Sequence, residues 1–405
     1  MKLHFKTKLF IAIITIFLIS LILLLVFYIP QKSRKDIFQS VDFGDLQGVS
    51  NYLNSEGDVN KANQFKESLL FRACEANNYK IVKLLIDAGA NVNQACNSGD
   101  TPLHKAQTLT IAKLLIEKGA KVNSKGNIGN TPLHTTKSSD IAKLLIENGA
   151  KVNAKNNYQW ESMRYAVENM NMPLIAILAK NNANINNKDY RGWTPIFALA
   201  YCTTDIANVP EKKSIESKAN KIAKTMEYIL SLGSNMDVSD NYGATPLHLA
   251  IMFRSNPTFN KKALVLIKKG ANPNVFEHIF GATPLHCAVW NGDTEIVNLL
   301  ISQGASLNPV MDGYLKPLKF IQRTPHDTYR KDIQEILNKK ENFINQKDKK
   351  RGCTPLHLAV FKKKYPIIKS LLSHGAKTNI KDKKGRTALD LAKELNDKKA
   401  INLLK

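Results

Sequence analysis

Apolar positions along this chain fall into two unlike patterns. The first is a single run, Leu9 to Ile29, of 21 residues without a charge. As a helix rising ~1.5 Å per residue, such a run covers roughly 30 Å, the thickness of a bilayer's hydrocarbon core. Lys2, Lys6 and Lys8 precede it; Lys32, Arg34 and Lys35 follow. A secretory signal has a shorter apolar stretch and a small-residue cleavage site, and Tyr28-Ile29-Pro30-Gln31-Lys32 offers neither. The run therefore predicts an uncleaved transmembrane helix over 9–29 with residues 1–8 as a basic flank. A cleaved export signal is the alternative.

The second pattern fills the rest of the chain. Short apolar clusters at helical spacing, such as Ile81, Val82, Leu84 and Leu85, are each followed by a glycine and a polar stretch. The block Leu84 to Asn93 (LLIDAGANVN) returns at Leu114–Asn123, Leu144–Asn153, Val265–Asn274 and Leu299–Asn308. A second block, Thr-Pro-Leu-His, starts at Thr101, Thr131, Thr245, Thr283 and Thr354. Looser copies stand at Ser68-Leu69-Leu70-Phe71, Glu161-Ser162-Met163-Arg164, Thr194-Pro195-Ile196-Phe197, Lys316-Pro317-Leu318-Lys319 and Thr387-Ala388-Leu389-Asp390. Thr is a good helix N-cap, and Pro is harmless at the first helical position because its missing N–H would have no helical partner there. Each unit thus predicts a helix from Thr-Pro, a second helix on the Ile/Leu cluster, a glycine exit such as Gly89 in the left-handed region, and a polar turn such as Asn97-Ser98-Gly99-Asp100.

A period near 33 residues with this core resembles the ankyrin repeat. The resemblance runs from about Asp36 to Lys405. It implies an all-α solenoid of helix-turn-helix units with hairpin fingers, stabilised by stacking of neighbours, here preceded by the expected membrane helix. Residues 30–67 read as a juxtamembrane segment and a degenerate first unit, with Phe38, Val41 and Phe43 on its first helix and Val49 to Leu53 on its second. The array over 68–405 then has units starting at 68, 101, 131, 161, 194, 245, 283, 316, 354 and 387. The units at 101 and 131 are three residues short between their helices. Insertions fall in the same turn, at 201–220, 254–261 and 323–330. Asn182 replaces an exit glycine, and the unit at 316 is the weakest match, with Lys316 in place of the capping Thr.

Charge adds a question. The 405 residues carry a net charge of +24. A basic chain suits nucleic acid or an anionic membrane, but abundant Lys, Asn and Ile equally fit an AT-rich genome with lysines on solvated faces. The composition is similar to that of ankyrin-repeat proteins of intracellular bacteria. The densest basic stretches are Lys347–Arg351, Lys362–Lys364 and Lys381–Arg386. The five cysteines, at 74, 96, 202, 287 and 353, are scattered without a Cys-x-x-Cys pair, which suits a reducing compartment and leans towards repeats on a cytosolic side. Three basic residues on each flank of 9–29 leave the orientation open.

Candidate chemistry is sparse. The recurrent His residues belong to different units without a companion ligand at metal spacing, and in ankyrin repeats this His is a structural hydrogen-bonding residue. No catalytic motif of the phosphate-loop, zinc-protease or serine-hydrolase kinds occurs, so neither an enzyme nor a cofactor is expected. Aromatic residues gather on the middle fingers, where aromatic side chains serve as binding hot spots. The partner-contact candidates are Tyr158, Tyr190, Trp193, Tyr242 and Phe280; Trp193 and Phe280, standing just before Thr-Pro or near it, also suit packing on their own hairpins. The expected function is a membrane-anchored ankyrin scaffold that binds another protein. The alternatives are an exported basic effector that binds nucleic acid or anionic lipid, and a membrane-tethered spacer.

Overall fold

The computed structural model describes residues 36–201, 212–252, 260–278, 281–311 and 352–405. Among these the regular structure is helical, with one isolated bridge between Ala62 and Ser68 and no β-strand. The chain divides into two units between Ala150 and Lys151.

In the first unit the helices Ile37–Asp42 and Leu46–Asn54 form an opening hairpin, with Val41 and Val49 fully buried and Phe43 81% exposed just past the first helix. Leu69–Glu75 and Tyr79–Asp87 form the next hairpin. Their inward stripe of Leu69, Phe71, Ile81, Val82 and Leu85 is buried, as an amphipathic pair requires. The two short units lose their residues from the first helix. Pro102–Lys105 is a single 3-10 turn and Pro132–Thr135 one helical turn, while the second helices Leu109–Glu117 and Ser139–Glu147 keep full length.

The second unit repeats the hairpin: Ser162–Glu168 with Met172–Lys180, Pro195–Tyr201 with Lys212–Ser231, Pro246–Met252 with Asn260–Lys268, and Pro284–Asn291 with Thr294–Ser302. Pro355–Phe361 with Tyr365–Ser373, and Ala388–Glu394 with Lys398–Leu404, complete it. First helices pack on first helices and second on second. Asn ladders tie neighbouring fingers; for example, Asn153 Oδ1 accepts from Asn184 N–H at 2.8 Å, and Asn186 Oδ1 accepts from Asn235 N–H at 2.8 Å. Asn182 makes its unit's helix exit at φ +60°, the conformation that Asn reaches most easily after Gly.

Three expectations meet the structure differently. The insertion at 201–220 is helical in its second half, because the stripe Ile229, Met226 and Ile222 continues back to buried Ala219. The insertions at 254–261 and 323–330 lie wholly or almost wholly outside the described residues, as does the unit expected from Lys316; the helix Pro284–Asn291 packs directly on Pro355–Phe361. The single-pass membrane localisation is corrected. Segment 9–29, on which it rested, lies outside the described residues, and among those described no helix is long and apolar enough to cross a membrane. The longest, Lys212–Ser231, spans 20 residues but carries Glu216, Lys218, Lys221, Lys224 and Glu227, charges that hydrocarbon does not tolerate.

Candidate functional site

The fingers entering the units at 68, 161, 194, 245 and 387 are each closed by an Asn or Asp five residues before the helix cap. Its side-chain oxygen accepts the N–H groups two and four residues on, so one short side chain fixes the turn. Asn156 Oδ1 accepts from Tyr158 and Trp160 N–H at 2.9 and 3.0 Å. Asp189 Oδ1 accepts from Arg191 and Trp193 N–H at 2.8 and 2.9 Å, and Asp240 Oδ1 from Tyr242 and Ala244 N–H at 2.8 and 2.9 Å.

Below the fingers the ordinary units use a histidine latch. In the unit at 101, His104 Nδ1 accepts from Thr101 N–H at 3.0 Å, which assigns the ring proton to Nε2, 3.1 Å from the Asn130 carbonyl of the next finger. His248 Nε2 meets Ala282 O at 3.2 Å and His357 Nε2 meets Arg386 O at 3.0 Å. Burial pushes His248 and His286 down to about 4, so these rings stay neutral and latch one unit to the next. Among the described residues no group of three or more His, Cys, Asp or Glu is placed to hold a metal ion.

At the units starting at 161 and 194 the latch is replaced. Glu161 and Arg164 occupy the Thr and His positions of the first, and Phe197 takes the His position of the second. Arg164, 5% exposed, lies 3.4 Å from Asp189 Oδ2 and 5.1 Å from the Trp160 ring centroid. Asp189 Oδ2 also accepts from Trp160 Nε1 at 3.2 Å and faces Arg191 at 3.4 Å. The Arg191 guanidinium sits 4.2 Å over Trp193 and 5.3 Å over Tyr190, within cation–π range. Asp189 is thus the hub of the site, and two arginines and three aromatic rings are arranged around it.

The candidates divide by exposure. Tyr190 is 38% exposed and Tyr158 half-buried; their ring centroids are 6.1 Å apart, and Trp160 lies 5.2 Å from Tyr158. Trp193 is 1% exposed; it stacks on Phe197 at 5.7 Å and its Nε1 donates to Asp240 Oδ2 at 3.2 Å, so it offers no surface to a partner. Tyr242 is half-buried on the following finger, where its carbonyl accepts from His278 N–H at 2.7 Å. Phe280 lies outside the described residues, as does the basic stretch 347–351. Of the other basic stretches, Lys362 covers the Trp290 ring at 4.0 Å and Arg386 pairs with Asp382 at 2.7 Å. The residues missed from sequence are Glu161, Arg164 and Asp189. Ionisable residues in the Thr and His positions were the available signal.

The profile of the family described as ankyrin repeats (3 copies) matches residues 37–126, 108–189, 215–310 and 327–405. The chain is 30% identical over 132 residues to a mitochondrial disaggregase of Bos taurus, which is 32% of this chain and 19% of that one. It is 35% identical over 119 residues to ankyrin repeat protein OPG189 of Variola virus, 29% of this chain and 17% of that one. It is 27% identical over 209 residues to transient receptor potential cation channel subfamily A member 1 of Homo sapiens, 51% of this chain and 17% of that one. The chain spans less than a fifth of the length of these relatives.

Proposed function

The chain belongs to the ankyrin-repeat family, and from that premise we propose that it is a non-enzymatic protein-binding scaffold whose contact surface is the row of fingers carrying Tyr158, Tyr190 and Tyr242. The observation that carries this reading is the pairing of Tyr158 with exposed Tyr190 across adjacent fingers, 6.1 Å between centroids. Both backbones are held by side chains: the Tyr158 N–H donates to Asn156 Oδ1 at 2.9 Å, and the Tyr190 carbonyl accepts from Asn241 Nδ2 at 2.9 Å. Tyr gives large contact area for little conformational entropy, and a surface already rigid before contact avoids an ordering cost on binding.

Proximity labelling from the repeat region names the partner, and the affinity of purified partner for wild type and for the triple variant Tyr158→Ala, Tyr190→Ala, Tyr242→Ala then tests the surface. The expected loss is ~2 kcal/mol or more, about 30-fold, if one of them is a hot spot, with an unchanged thermal midpoint. Full affinity in the triple variant would move the contact away from these fingers.

A further inference from the structure

We infer that the finger surface over 155–160 and 188–193 docks an acidic segment of a protein, whose carboxylates meet Lys155 and Lys188 while an apolar side chain lies on Tyr158 and Tyr190. This rests on the binding function proposed above and names the chemistry of its partner.

The inference comes from how charge is sorted by depth. Fingers 155–160, 188–193 and 240–243 carry two acids, Asp189 and Asp240, and these are 7% and 6% exposed. Asp189 is spent on Arg164, Arg191, Trp160 and two backbone N–H groups, and Asp240 on Trp193 and two more. The basic residues on the same fingers stay outside. Lys155 and Lys188 are exposed and Arg191 is half-buried. Lys188 leans towards the next finger, with Nζ 3.5 Å from Ser239 O, and neither lysine has an ion pair among the described residues. Every exposed charge on these fingers is therefore positive, and it flanks the tyrosine pair. Such a field selects negative partners and rejects basic ones.

A protein segment fits better than a nucleic acid. Single strands bind on open ring faces where bases stack. Here the rings lean on one another, at 42° for Tyr158 with Tyr190 and 40° for Tyr158 with Trp160, and one face of Tyr190 carries Arg191.

The test uses the full chain and a twelve-residue probe of glutamates around one leucine, with binding read by fluorescence anisotropy. Lys155→Gln with Lys188→Gln is expected to weaken the probe about tenfold at low salt, the sum of two exposed charge pairs. Lys383→Gln with Lys384→Gln is expected to change it less than twofold, and the loss should shrink as salt screens the pairs. Hydrogen exchange with the probe bound should protect 155–160 and 188–193. An unchanged affinity in the first pair of exchanges, protection centred on 381–386, or tighter binding of a twelve-nucleotide oligo-thymidylate overturns the inference. If the native partner needs Tyr158 and Tyr190 but ignores Lys155 and Lys188, the acidic partner is refuted and the binding surface stands. If it ignores the tyrosines, the binding reading itself falls.

Discussion

Glu161 stands where threonine caps the helix in the units at 101, 131, 245, 283 and 354, and its side chain caps nothing. It is 3% exposed, its Oε2 lacks a hydrogen-bond partner, and it borders a cavity of about 10 Å³ with Trp160, Arg164, Asp189 and Trp193. Burial pushes its carboxyl up to about 7, with Lys155 opposing the rise. In the unfolded chain the group releases its proton near 4.5. Between those values the folded chain holds a proton that the unfolded chain has lost, so stability from this group falls as pH rises from 4.5 through 7. His248 and His286 act in the opposite sense, their contribution being complete above 6.5 and lost as pH falls towards 4. A variant difference isolates the glutamate. Glu161→Gln, a permanent stand-in for the neutral acid, should be more stable than wild type at pH 8 by about 1–3 kcal/mol. The gap should close below pH 4.5. Urea titrations at both pH values check this, and a gap independent of pH would show that Glu161 does not titrate on folding. The sequence showed an acid and an arginine out of place at 161 and 164. It did not show that Asp189, on the next finger, gathers them, because that depends on stacking distance between units.

Helix boundaries were the most legible features at the scale of elements, since Thr-Pro starts and glycine exits are local chemistry. Gly149 ends the helix Ser139–Glu147 at φ +86°, and a Cβ built there meets nothing within 4 Å. The space is open, so the penalty for another residue is the backbone conformation alone. Asn182 already makes the equivalent exit at φ +60°. Gly149→Asn should therefore shift the urea midpoint little, whereas Gly149→Val should cost at least ~1 kcal/mol, the scale of the handedness penalty for a residue with Cβ. Equal midpoints for the two variants would show that the exit relaxes out of the left-handed region. Less legible were elements decided by tertiary burial. The tetrapeptide predicts a helix wherever it occurs, yet after Thr101 it makes one 3-10 turn, because three missing residues leave no chain for a second turn. Conversely, an expected loop became part of the helix Lys212–Ser231 because Ala219 and Ile222 extend its buried stripe.

Over the length of the chain, the repeat period predicts a unit between those at 283 and 354, and the second compact unit pairs those two directly. His286 Nε2 meets Cys353 O at 3.3 Å, as His248 meets Ala282 O within an ordinary neighbouring pair. Asn308 Oδ1 accepts from Lys377 N–H at 2.9 Å, continuing the Asn ladder across 69 residues of sequence. Met311 N–H donates to Cys353 O at 3.0 Å, so the described segments ending at Met311 and beginning at Gly352 meet directly. Periodicity registers the composition of a segment and not which neighbours it stacks between, and for this reason the pairing was illegible. The family profile likewise matches 327–405 by pattern. The two arrangements differ in one measurable distance. Ser370 Oγ donates to Asn298 Oδ1 between the helices Tyr365–Ser373 and Thr294–Ser302. A further helix between them would separate the pair by about two interhelical spacings of 8–10 Å each. With Asn298→Cys and Ser370→Cys in the full chain, a short bismaleimide should therefore link the two positions in high yield, identified as a joined peptide by mass spectrometry. The same link should fail when either substitution is made alone. Absence of the link in the double variant, with the thiols shown to be reactive, would place another unit between the two and restore the uninterrupted period.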